Sequence, residues 1–131
     1  MIISKTIKNV NIKFFSCHKF EKFTKVSENI SKYSKYPKTY IDNICAVAFF
    51  KSIVGIDIVS LKNKKYSKLE SSYKLLSCYL KKKIDTKKIS FVNQKNYSLL
   101  FYKNNLFGKI YIKKIILKKK NYYLSIAKLS I

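Results

Sequence analysis

The 131-residue chain carries a formal charge of +23, from 29 basic residues against 6 acidic ones, while 47% of its residues are apolar. That apolar share is enough for a folded core and excludes a wholly disordered basic tail. The charge points to a polyanionic partner, nucleic acid first and an anionic membrane surface second.

Every basic residue is lysine, with only two glycines (Gly55, Gly108) and one proline (Pro37). Lys, Asn, Ile, Tyr and Phe have AT-rich codons, so a drifting, AT-rich genome accounts for the bias. Lysine lacks the planar fork that reads guanine edges, so the chemistry favours gripping backbone over reading bases. Cys17, Cys45 and Cys78 are far apart, which argues against a disulfide framework and a zinc site. Cys17 and His18 are adjacent, and neighbours on a strand point to opposite faces, so they do not form a thiolate–imidazole pair. The six acids, Glu21, Glu28, Asp42, Asp57, Glu70 and Asp85, are scattered without a catalytic pairing. No enzyme, cofactor or metal is expected. The start lacks the apolar run and small-residue site of a secretory signal.

In chain order, residues 6–14 alternate, with Val10, Ile12 and Phe14 on one side and Asn9, Asn11 and Lys13 on the other; one half-buried strand is predicted. Residues 26–36 place Val26, Ile30 and Tyr33 at helical spacing, and Pro37 ends that helix. Residues 46–50 and 56–61 are short apolar runs separated by a loop containing Gly55, predicted as neighbouring strands of one sheet. Lys51 and Asp57 interrupt this region, which excludes a lipid-facing span, so no membrane insertion is expected.

The clearest helix follows. Ser67 and Glu70 have capping-box spacing, with Leu69, Tyr73, Leu76 and Leu80 as the apolar stripe and Lys81, Lys82 and Lys83 at the end. Further strands are predicted at residues 89–92, 99–102, 110–117 and 122–129. The whole reads as a single α+β domain over residues 1–131, a mostly antiparallel sheet with helices packed on one face. Tyrosines interleave with lysines, as in Tyr33-Ser34-Lys35-Tyr36 and Lys64-Lys65-Tyr66, a mixture that stacks on unpaired bases as well as filling a sheet.

Several segments resemble the fifth large-subunit ribosomal protein family. Asn96-Tyr97-Ser98, then eight residues, then Phe107-Gly108-Lys109-Ile110 resembles that family's Gly-Asn-Tyr-Ser followed at the same spacing by Phe-Pro-Glu-Ile. Lys95 stands for the glycine and Gly108-Lys109 for Pro-Glu. In the same order, Tyr36-Pro37-Lys38-Thr39 resembles its Gln-Lys-Pro and Thr, and residues 46–51 its Ala-x-Phe-Lys strand. Ile58-Val59-Ser60-Leu61-Lys62 resembles its Val-Thr-Leu-Arg strand, and Tyr73 with Leu76 its Tyr-x-Phe-Leu helix. Residues 84–90 resemble its basic loop, and residues 123–127 its final strand.

The resemblance implies helices on a curved sheet, in the central protuberance of the large ribosomal subunit. It implies binding to large-subunit rRNA, to 5S rRNA where the ribosome has one, and to neighbouring large-subunit proteins. It also implies contact with the small-subunit head, and with peptidyl-site tRNA through a loop shortened here to Lys51, Ser52 and Gly55. With the lysine chemistry, it makes Lys8, Asn11, Lys13, Lys38, Thr39, Lys62, Lys64, Lys65, Lys87, Lys88 and Asn96 the candidate RNA-binding residues. The expected protein is a structural constituent of the large subunit of an organellar ribosome, encoded in the organelle, with a mitochondrion expected ahead of a plastid or an AT-rich endosymbiont. The alternative is another small basic RNA- or DNA-binding protein, such as a different ribosomal protein or a nucleoid protein.

Overall fold

The computed structural model describes residues 2–16 and 36–130. The chain divides into two compact units, residues 1–51 and 52–131. The fold is α+β, with two antiparallel sheets and a helix packed against one of them.

The first unit holds β1 (Ile2–Ile7), β2 (Val10–Ser16), β3 (Lys38–Ile41) and β4 (Ile44–Phe49), in the sheet order β1-β2-β4-β3. The strand expected over residues 6–14 is in fact a hairpin. Ile7 pairs with Val10 across a turn in which Lys8 and Asn9 have φ of 48° and 68°. Positive φ at both central residues is what a type I′ turn requires, and Lys-Asn gives no glycine signal for it. Val10, Ile12 and Phe14 are buried as the alternation predicts, sharing a face with Ala48 and Ala46. Lys38 and Thr39 belong to β3, a four-residue strand too short to stand out. The helix expected over residues 26–36 lies outside the described residues except for Tyr36, which sits in a bend. Cys17 and His18 also lie outside them.

The second unit begins with β5 (Val54–Ser60), followed by a 3-10 turn (Leu61–Asn63) and the helix α1 (Lys64–Leu80). Then come β6 (Ile89–Asn93), β7 (Ser98–Tyr102), β8 (Asn105–Leu117) and β9 (Lys120–Leu129), in the sheet order β5-β9-β8-β7-β6. β4 and β5 are therefore not neighbours in one sheet. β4 lies between β2 and β3, whereas β5 pairs with β9. Two short, mostly apolar runs carry no information about which strand each will pair with.

α1 starts a turn earlier than its capping box predicts. Asn63 is the N-cap and makes no side-chain cap bond; Ser67 is buried within the helix and Glu70 is exposed. The buried face is Ser67, Ser71, Ser72, Leu75 and Leu76, while Leu69, Tyr73 and Leu80 are only half-buried. Small side chains let the helix backbone come close to the sheet. A Cβ at Gly55 would collide with the Ser71 carbonyl oxygen and lie 2.9 Å from the Leu75 nitrogen. Gly55 thus sits inside β5, buried under α1, and not in the expected loop. Two of the buried serines satisfy their hydroxyls nearby: Ser72 donates to the Lys68 carbonyl at 2.7 Å, and Ser71 meets Ser125 of β9 at 2.6 Å. Leu75, Leu76, Leu100, Ile110 and Ala127 form the core beneath them.

Two hairpin turns of this sheet follow the same rule as the β1–β2 turn. Lys103-Asn104 (φ 50° and 65°) joins β7 to β8, and Lys118-Lys119 (φ 51° and 65°) joins β8 to β9. A left-handed non-glycine residue costs on the order of 1–2 kcal/mol. Replacing Lys103 by Asn and Asn104 by Gly should therefore stabilise the chain by about 1 kcal/mol. A rise in the urea midpoint with an unchanged slope is the expected reading, and an unchanged midpoint would contradict it.

Candidate nucleic-acid interface

The four-stranded sheet sorts its polar residues by face. Lys13 and Lys38 both pair with Val47, and Asn11 pairs with Phe49, so these three side chains share one face. Aromatic rings surround them. Tyr36 and Phe49 have centroids 4.8 Å apart, the Lys13 Nζ lies 5.4 Å from the Phe49 ring, and Phe15 and Tyr40 flank Cys45. Lys38 donates to the Tyr36 carbonyl at 3.0 Å. Thr39 pairs with Ala46 on the opposite face and is 4% exposed, so it is a packing residue rather than a ligand contact. Lys8 is exposed at the β1–β2 turn.

At the junction of β5 and α1, Lys62, Lys64 and Lys65 are all exposed. The Lys64 Nζ lies 4.9 Å from the Tyr123 ring, and the Lys65 Nζ lies 5.1 Å from that of Tyr66. Tyr123 pairs with Lys114, so this junction meets the far end of the β8–β9 hairpin. Lys113, Lys114, Lys118, Lys119 and Lys120 are exposed there. Lys118, Lys119 and Lys120 open the lysine–tyrosine tract Lys118-Lys119-Lys120-Asn121-Tyr122, but none of the five is among the candidate RNA-binding residues read from the sequence. The available signal was that Asp85 is the last acid, so every charge beyond it is positive.

Lys87 and Lys88 lie in a 3-10 turn (Thr86–Lys88), whose N-cap Asp85 accepts from the Lys87 N–H at 3.1 Å. The Lys103 N–H donates to the Lys88 carbonyl at 3.1 Å, bringing the β7–β8 turn alongside. Lys83, Thr86, Lys88, Tyr102 and Lys103 line a shallow depression of about 550 Å³ there. Asn96 is exposed in the loop after β6, apart from this cluster, and Lys51 and Ser52 are exposed as well.

Two acids have structural work. Asp57 lies 3.7 Å from the Lys74 Nζ, and Asp85 caps its turn. Burial, and secondarily the charge of Lys64, lowers the pKa of Lys68, whose Nζ donates to Asn93 Oδ1 at 2.6 Å. Among the described residues no group of three or more His, Cys, Asp or Glu could hold a metal ion, and no helix is long and apolar enough to cross a membrane. What the arrangement offers chemically is ammonium groups on exposed turns, suited to phosphate oxygens. Comparisons with protein-family models, with curated proteins and with solved structures find nothing that matches this chain.

Proposed function

We propose that this chain is a structural, rRNA-binding constituent of the large subunit of an organellar ribosome, in a mitochondrion, seated in the central protuberance. The observation that carries the reading is a whole-chain charge of +23 together with exposed lysines on the turns and strand ends of the described α+β residues. Such a charge repels itself in the free protein and is relieved by RNA phosphates. Ser98 pairs with Ile110, and the Lys109 Nζ lies 4.8 Å from the Tyr97 ring, so the two halves of the motif that carries the resemblance lie side by side. Its partners are then large-subunit rRNA, 5S rRNA where present, and neighbouring ribosomal proteins.

The test is to tag the chain in its own cell, lyse gently and fractionate by sedimentation. The chain is expected to travel with the large subunit and to recover rRNA and large-subunit proteins. Recovery with DNA and nucleoid proteins instead would favour the alternative, a basic DNA-binding protein.

A further inference from the structure

The β8–β9 hairpin outruns the strands beside it. β7 pairs with β8 only as far as Ile110, and β5 pairs with β9 only as far as Tyr122, yet β8 and β9 stay paired to Leu117 and Lys120. The β7–β8 register stops at Ile110, so residues 112–117 of β8 form the outer edge of the ribbon among the described residues. The two faces of this ribbon differ. Ile115, Leu117 and Tyr122 on one face are 3%, 1% and 3% exposed. On the other face Lys114, Ile116 and Asn121 are exposed, Ile116 at 64%, and Tyr123 lies under Lys64. Lys118, Lys119 and Lys120 rim the tip, and Lys62, Lys64 and Lys65 rim the opposite side.

Resting on the RNA-binding reading above, we infer that this ribbon face and the start of α1 form a docking surface for double-helical RNA. An exposed isoleucine and asparagine ringed by ammonium groups match the shallow minor groove of A-form RNA. That groove presents ribose faces and 2′-hydroxyls between two rows of phosphates. On the ribbon, Tyr122 is buried and Tyr123 is covered by Lys64, while the exposed ring at the start of α1, Tyr66, has the Lys65 Nζ 5.1 Å from its centroid, so ammonium groups rather than open stacking faces dominate the surface.

The experiment measures binding of the full chain to a duplex RNA of about 20 base pairs, long enough to present two minor-groove faces. The same sequence as duplex DNA and as single-stranded RNA completes the probe set. The ribbon variant carries Lys65→Gln, Lys114→Gln, Lys118→Asn and Lys119→Gly, the last two chosen to suit the turn while removing charge. A control loses the same four charges elsewhere, by Lys5→Gln, Lys81→Asn, Lys82→Gln and Lys95→Gln. Both are checked for an unchanged circular dichroism spectrum.

The ribbon variant should lose at least about tenfold in duplex affinity, and its salt slope should fall by roughly three, near one per phosphate contact removed. The control should stay within about threefold, as loss of general charge alone predicts. Ile116→Ser should weaken duplex RNA binding without changing the salt slope. Equal losses in ribbon variant and control would overturn the docking surface while leaving the RNA-binding reading intact. So would a wild-type preference for single strands or for duplex DNA. Failure of the wild-type chain to bind any RNA at low salt would instead remove the RNA-binding reading itself.

Discussion

Replacing Gly55 by alanine should destabilise the protein by about 3 kcal/mol or more, at the upper end of what overpacking a core costs. The added Cβ would meet the Ser71 carbonyl oxygen and the Leu75 nitrogen, both backbone atoms in the middle of a 17-residue helix. Neither can turn aside as a flexible side chain would. Relief would require α1 to lift from β5, opening the Ser71–Ser125 hydrogen bond and uncovering Leu75. Urea melts of the variant should show the loss as a lower midpoint. A change below about 0.5 kcal/mol, the range of ordinary surface substitutions, would show that the helix does not sit where we describe it. Gly108→Ala should also be costly, because its Cβ would strike the Lys128 carbonyl oxygen of the adjoining strand.

RNA affinity should be strongly salt-dependent. Engaging about six or more phosphates through lysine predicts a loss on the order of a thousandfold between roughly 50 and 200 mM salt. The candidate contacts are exposed ammonium groups at Lys8, Lys62, Lys64, Lys65, Lys87, Lys88 and along the β8–β9 ribbon. Lysine is a point charge without arginine's planar fork, so the electrostatic part should dominate. A titration series over salt, fitted as log affinity against log concentration, measures this directly. A nearly flat line would mean that protein or base contacts carry the affinity, and would favour a scaffold held mainly by other proteins.

Much of the fold could be read from the chain, and the misses have physical reasons. The runs behind β4 to β9 are visible because apolar and β-branched residues concentrate there. The β1–β2 hairpin was hidden because Lys8 and Asn9 take a conformation normally announced by glycine. The face of α1 was misjudged because buried serines read as polar; the Ser71 and Ser72 hydroxyls bond the Lys68 carbonyl or Ser125, which a linear pattern does not reveal. Sheet membership was not legible, since nothing in residues 44–60 says that β4 joins β2 and β5 joins β9. The candidate site divides in the same way. Lys62, Lys64 and Lys65 stand out as a charge run, but only the register of β9 brings them beside Lys114 and the tip of the β8–β9 hairpin. Thr39 was misassigned because its neighbour Lys38 points to the other face.

The left-handed turns set two kinds of fitness against each other. At Lys103-Asn104 and Lys118-Lys119 a change to Asn-Gly relaxes the backbone and in the same step removes one positive charge at the first turn and two at the second. A version of this chain optimised for shelf life would carry glycine at its tips and hold polyanions less well. A version optimised for assembly keeps the lysines and lives with a looser fold until its partner arrives.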